Sequence, residues 1–153
     1  MYYTAENYGA RHSIGYLIRR ASKLVISQVE ALFAEQDISF TQYVVLVLLR
    51  DNLASTASDI CQQLGYDTGA LTRVIEQLRR RELIERKRNI KDKRIISLSL
   101  SPLGRETIEN FCPLVFNHYN QRLEDFSFKE IDTLLTLLTK FIASLEKNTK
   151  CKG

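Results

Sequence analysis

The chain has no tryptophan, two prolines and six glycines in 153 residues. Such sparse turn punctuation argues against a sandwich or barrel of many short strands. No run of 18 apolar residues occurs, and Met1 to Arg11 is polar and aromatic rather than a basic segment leading into an apolar stretch. Membrane spanning and secretion are both disfavoured. Cys61, Cys112 and Cys151 form neither a close pair nor a metal-spaced cluster, and their number is odd, so a reducing cytoplasm fits best. His12 and His118 have no Cys, Asp or Glu partner at ligand spacing, which leaves no metal site to expect. A nucleophile with its base and a phosphate-cradling loop are also missing, and neither an enzyme nor a resident cofactor is expected.

What is present is ordinary in bulk. Hydrophobic residues make up 44% and charged residues 26%, as in a globular protein of one domain. A chain of this length buries roughly 70% of its unfolded surface. The expectation is a single domain, residues 1–153, that is mainly helical.

Apolar positions from Ile14 to Phe33 recur at three and four residues and predict a long amphipathic helix. After candidate caps at Ser39 and Thr41, Tyr43 to Leu49 is almost continuously apolar. Helix is preferred there because Gln42 and Arg50 bracket the run without turn residues, although periodicity alone does not separate helix from strand. Thr56 and Asp59 have capping-box spacing ahead of Ile60 and Leu64, and Gly65 supplies a stop. Asp67 and Thr68 offer the next cap, before a stripe of Leu71, Val74, Ile75 and Leu78. Two short helices so close together predict a helix-turn-helix.

The period then changes. Leu83 to Arg88 and Ile95 to Leu100 read as strands around a turn at Asn89 to Lys93, a two-stranded β-wing behind the helix-turn-helix. A second helical region starts at Pro102, where a missing N–H is harmless, and Pro113 predicts a kink or local break within it. Ser127 and Glu130 cap a last helix with a broad stripe from Ile131 to Leu145, and Asn148 to Gly153 reads as a frayed tail. The terminal helices carry more apolar surface than a small winged unit needs. A dimer and an intrachain bundle both use that surplus, and periodicity does not choose between them.

The formal net charge is only +4, but its distribution is uneven. Arg73 to Arg94 holds ten basic and four acidic residues, a local +6 that leaves −2 for the rest of the chain. On a helix-turn-helix and wing, that concentration is the footprint of a phosphate-binding surface. The second helix fits the major groove, where the short Thr68, Ala70 and Thr72 permit close approach and Arg73 reaches a guanine edge or a phosphate. The wing, with Arg88, Lys91, Lys93 and Arg94, suits the narrower minor groove, and Asp92 is placed to orient Arg94. An interaction module that binds an acidic protein partner is the alternative use of the same basic face.

These residues together resemble the MarR family of bacterial winged helix-turn-helix regulators, from about Ser13 to Lys147. One matching stretch is Ile38, Ser39, Gln42, Val45, Leu46 and Leu49. Another runs Gly69, Ala70, Leu71, Thr72, Arg73, Val74, Ile75 and Leu78, then Leu83, Ile84 and Arg86. The most specific is Asp92, Lys93 and Arg94 followed by Ser97, Leu98, Leu100, Ser101 and Gly104, similar to the family's wing signature. The resemblance implies a winged lobe over about residues 38–101 and dimerisation helices over about 13–36 and 102–147. It implies a homodimer, usually a repressor, on a pseudo-palindromic operator of double-stranded DNA. Many members release DNA when a small, often aromatic and acidic, effector binds between the two parts. Candidate ligand residues are Tyr16, Arg19 and Arg20 of the first helix, Tyr43 of the second, and His118 and Tyr119 of the fifth. One branch of the family senses peroxides through a Cys in the first helix, and Ser13 to Phe33 contains none. Cys61 replaces a usual small Ala and reads as a packed, inert thiol.

Overall fold

A computed structural model describes residues 1–88 and 96–149. The elements are α1 (Ile14–Phe33), α2 (Phe40–Arg50), α3 (Ala57–Leu64), α4 (Thr68–Arg80), β1 (Ile84–Arg88), β2 (Ile96–Leu100), α5 (Pro102–Arg122) and α6 (Phe128–Thr149). The mainly helical expectation, the helix-turn-helix and the two-stranded wing are all found in this order. Two compact units are formed, Met1–Val115 and Phe116–Gly153.

The helix starts follow the capping chemistry of the sequence. Ser39 and Gln42 form a reciprocal capping box on α2, and Thr56 and Asp59 form another on α3. Asp67 caps α4 by accepting from the Ala70 N–H at 2.9 Å. Ser127 and Glu130 exchange bonds at the start of α6. At α1 a distant residue assists. The Tyr3 hydroxyl accepts from the Ile14 N–H at 2.9 Å and donates to the His12 carbonyl, folding the N-terminal segment over the helix end. Nothing in the polar, aromatic composition of that segment announces this contact.

The ends are equally specific. Gly65 closes α3 with φ 65°, the left-handed conformation that an added Cβ disfavours. The N–H groups of Asn52 and Leu53 turn back onto the carbonyls of Leu49 and Leu48, closing α2, and those of Glu82 and Leu83 onto Arg79 and Leu78, closing α4. Both are Schellman closures with a non-glycine residue at positive φ, 55° for Asn52 and 58° for Glu82. They resolve the ambiguity over Tyr43 to Leu49. A capping box before that run and a Schellman closure after it make it a helix, with Tyr43, Val45, Leu46, Leu48 and Leu49 buried.

The core of the first unit is built on Ile38, Val45, Leu46, Ile60, Leu71, Ile75 and Leu78, all at 2% exposure or less. Each such side chain contributes about 1.5–3 kcal/mol on burial. Phe33 joins three helices here, its ring lying 5.2 Å from Tyr43 and 5.8 Å from Phe111. The strands pair antiparallel with Ile84 opposite Leu100 and Arg88 opposite Ile96. The other edge of β2 is used as well, since the Leu98 N–H donates to the Ser55 carbonyl at 2.8 Å. The wing root is thus fastened to the loop that leads into α3.

Pro102 opens α5 as expected. Of the kink or local break expected at Pro113, the break does not occur, since α5 continues to Arg122. Proline removes one N–H bond to the Glu109 carbonyl, a loss that the helix accommodates. The helix α6 extends to Thr149, and the remainder of the expected tail lies outside the described residues.

Gly104, in the first turn of α5, lies against the backbone of Leu83. A Cβ at this position would overlap the Leu83 carbonyl oxygen. Gly104→Ala should therefore destabilise the protein by about 1–3 kcal/mol, the usual cost of overpacking. Urea denaturation of the two proteins checks this, and equal stability would show that α5 shifts freely against the wing root.

Candidate nucleic-acid interface

Helix α4 begins three residues after α3 ends, and its sides divide cleanly. Leu71, Ile75 and Leu78 are buried, whereas Thr68, Ala70, Thr72 and Arg73 are exposed. The four candidate contact residues are therefore brought together on the outer face of the first turns. The Thr72 hydroxyl donates to the Thr68 carbonyl at 2.6 Å, which occupies its proton and leaves its lone pairs and methyl group outward. Helix α4 is also held from behind. The Gln42 amide accepts from the Ser39 N–H at 3.0 Å and donates to the Gln77 side chain at 2.9 Å, so one buried side chain caps α2 and braces α4.

The basic residues fall into two sets. Glu76 takes Arg79 at 2.7 Å and Arg80 at 3.3 Å, near the C-terminal end of α4. Arg81 donates to the Asp37 carbonyl, and Lys87 pairs with Glu85 at 3.4 Å. Arg73 has no acceptor among the described residues and points outward from the N-terminal half of α4. Arg86 lies differently: with Thr72, Ile75, Ile96 and Leu98 it lines a cavity of about 130 Å³ between α4 and the wing. Sequence reading placed Arg86 in the basic segment and in the family resemblance, but not among the contact residues. The alternation of β1, which sets it opposite Leu98, is the signal that puts it on the α4 side. Arg88 ends β1, while Lys91, Asp92, Lys93 and Arg94 lie outside the described residues.

The candidate ligand residues separate. Tyr16, Arg19 and Arg20 come together with Lys23, which the sequence reading did not select, around a cavity of about 340 Å³ on α1. Lys23 continues the same helical face at i+4 and i+3 spacing, and that spacing was the available signal. Tyr43 is elsewhere and buried. Its hydroxyl is 3.6 Å from the Cys112 sulfur, and burial, reinforced by Cys112, pushes its ionisation well above the ordinary tyrosine range. Arg50 Nη1 donates to the same sulfur at 3.1 Å and holds Asp51 through Nε at 2.7 Å. His118 belongs to the second unit, where its ring meets Tyr119 edge-on at 5.6 Å. Burial and the neighbouring Arg122 charge lower its pKa, favouring the neutral ring. Tyr119, too, is in the second unit, and burial raises its pKa. Cys61, read as packed, is half-buried.

The Glu76 cluster has a measurable signature. Hydrogen bonds from Arg79, with its charge and that of Arg80, lower the Glu76 pKa from an ordinary 4.5 to about 2. Because the folded value is the lower one, the contribution of this cluster is complete above pH 4.5 and is lost as pH falls toward 2. A carboxyl-carbon NMR titration should show Glu76 ionised through the normal carboxylate range. Titration of Glu76 near 4.5 would mean that the arginines are not bound to it in solution.

No helix among the described residues is long and apolar enough to cross a membrane. Compared with known proteins, residues 36–95 match a family model described as MarR family. The HTH-type transcriptional regulator SarZ of Staphylococcus aureus is 23% identical over 141 residues, covering 90% of this chain and 92% of SarZ. Wild-type MarR of E. coli in its apo form has a similar structure, with a TM-score of 0.71 and 27% identity over 84% of this chain and 96% of MarR. So does BpsR of Bordetella bronchiseptica, whose DNA binding is regulated by 6-hydroxynicotinic acid, with a TM-score of 0.71 and 25% identity over 88% and 96% of the two chains. The family match falls on the helix-turn-helix and the first strand of the wing, and the relatives follow the chain through the flanking helices, so this chain is a DNA-binding transcriptional regulator similar to the MarR family of winged helix-turn-helix proteins.

Proposed function

We propose that the protein is a cytoplasmic, homodimeric repressor that binds a pseudo-palindromic operator and is released by a small aromatic acid. The observation that carries the DNA-contact part is the outer face of α4, where Thr68, Ala70, Thr72 and Arg73 are exposed together and Arg73 has no described acceptor. In this reading α4 enters the major groove. Thr68, Ala70 and Thr72 allow close approach, and Arg73 donates to a guanine edge or a phosphate. Arg88, Lys91, Asp92, Lys93 and Arg94 form the wing contact with the adjacent minor groove.

The lobe that makes these contacts is residues 38–101, with residues 13–36 and 102–147 supplying the dimer contacts. Exposed apolar side chains support that division, notably Leu17, Leu24 and Val25 of α1 and Leu135, Leu138 and Ile142 of α6. Surface of this kind on two helices asks for a cover. A two-fold dimer would carry two copies of α4, matching half-sites about one helical turn apart. For the effector, support comes from the cavity lined by Tyr16, Arg19, Arg20 and Lys23, an aromatic ring beside three cations, and from the aromatic acid that acts on BpsR. Tyr43 on α2 and His118 on α5 are further candidate ligand residues, each on its own element. The relatives, as regulators of transcription, do not favour the alternative of an acidic protein partner.

A mobility-shift series over rising salt tests the DNA reading. Binding should fall steeply, as expected when several phosphates are neutralised. Arg73→Ala should either relax preference at one base pair, at a cost of about 1–3 kcal/mol, or weaken all sites alike and reduce the salt slope by about one. Unchanged binding to the preferred operator would remove Arg73 from the interface. Light scattering at micromolar concentration should give the mass of two chains, and a monomer mass would overturn the dimer.

A further inference from the structure

A second cavity, of about 170 Å³, lies at the root of the wing on the side bounded by the end of α2 and the first turn of α5. Its polar lining is Arg50, Asn52, Ser55, Ser99 and Arg105, contributed by four separate parts of the chain. We propose that this cavity is a binding site for a small hydroxycarboxylate, separate from the DNA face and from the α1 cavity.

Donor accounting supports an anion. The Arg50 guanidinium has five N–H groups. One of them, on Nε, and one on Nη2 go to Asp51 at 2.7 and 3.2 Å, and one on Nη1 goes to Cys112 at 3.1 Å. Two remain, one on each terminal nitrogen, available to the oxygens of a carboxylate. Asp51 and Cys112 meanwhile fix the plane of the group, so little side-chain freedom is lost when a ligand binds. Arg105 has no acceptor among the described residues, and its guanidinium supplies the second cation of the lining.

The surrounding charges choose among anions. Two carboxylates stand near this cavity without lining it. Asp51 is held by Arg50, and Asp59 accepts from the Ser55 N–H, the Ser55 hydroxyl and the Thr56 N–H. The local charge is therefore close to balanced, which favours a monoanion over a dianionic phosphate, whose second charge would have to be desolvated without a matching cation. Ser99 and Asn52 provide neutral donors and acceptors suited to a ligand hydroxyl. Ser55 can only accept, because its proton is committed to Asp59. The cavity is well below the size that holds a drug-like ligand, so it suits a small molecule. Lactate has this size and these groups.

The test is a backbone-amide NMR titration of the full-length protein with sodium lactate, using sodium chloride and inorganic phosphate at matched ionic strength. Lactate should give saturable shifts at Ser55, Ser99 and Arg105 that chloride does not give. Arg105→Gln should weaken this binding by about tenfold or more, as expected on losing a charged hydrogen-bond donor. Lys129→Gln removes one positive charge outside the cavity and should leave the affinity unchanged. Absence of saturation, equal loss in both variants, or shifts centred on Tyr16, Arg19 and Lys23 would overturn the site. Tighter binding of phosphate than of lactate would overturn the ligand class. None of these outcomes depends on whether α4 reads DNA as proposed.

Discussion

One hydroxyl fixes the wing to the helices. Ser101 Oγ donates to the Glu82 carbonyl at 2.6 Å and accepts from the Gly104 N–H at 2.9 Å, while the Ser101 N–H donates to the Leu83 carbonyl at 3.1 Å. The exit from α4, the entry to β1, the exit from β2 and the start of α5 therefore meet around one buried residue. Glu82 must adopt positive φ for α4 to close there, a conformation costing about 1–2 kcal/mol in a non-glycine residue. The Schellman bonds from Glu82 and Leu83, together with the Ser101 contacts to both, offset that cost. Gly104 completes the arrangement because it alone permits α5 to approach the Leu83 backbone so closely. The strands at the root of the wing therefore leave the helix-turn-helix at a set angle.

A similar economy governs α4. Gln42 would be an ordinary buried amide if it only capped α2, but its nitrogen also reaches the exposed Gln77 of α4. Loss of this side chain would leave two groups without partners, the Ser39 N–H and the Gln77 carbonyl oxygen. The position of the recognition helix is thus set by one polar bridge as well as by the apolar contacts of Leu71, Ile75 and Leu78. Apolar packing supplies most of the free energy. The directional bond limits rotation of α4 about its axis, which decides whether Arg73 faces outward.

Much of this architecture was legible in the sequence because it rests on local rules. Ser39 with Gln42, Thr56 with Asp59, and Ser127 with Glu130 announce helix starts by spacing alone, and the alternation of Ile96, Leu98 and Leu100 announces a strand. Helix ends were harder, since α2 and α4 stop at Asn52 and Glu82 without glycine, and the compensating bonds depend on residues folded back in space. Pro113 is a different case. The helix runs through it without a break, because the loss of one backbone bond is small against the remaining bonds of a 21-residue helix. At the candidate sites, Thr68 and Thr72 pair at i,i+4 and Ala70 and Arg73 at i,i+3, and all four are exposed on the first turns of α4. Tyr43 did not join Tyr16 and Arg19, because its aromatic character is used against Phe33, a tertiary contact that composition does not reveal.

The pairing of charges changes what a basic segment means. From sequence, Arg73 and Arg79 count equally toward the local +6. In the folded chain Glu76 holds Arg79 and Arg80 in one cluster, whereas Arg73 stands one helical turn earlier with no described acceptor. A phosphate approaching the C-terminal part of α4 would have to share those arginines with a carboxylate that stays ionised to low pH. One approaching Arg73 meets no such competitor on this helix. Glu76 thus lowers the attraction of the C-terminal end of α4 for any phosphate, while Arg73 keeps no ion pair among the described residues. An arrangement of this kind reduces sequence-independent binding more than specific binding, so the acid within the basic segment favours selectivity. Net charge measures how strongly a chain is drawn to a polyanion, and the position of Glu76 decides which of the α4 arginines remain unpaired.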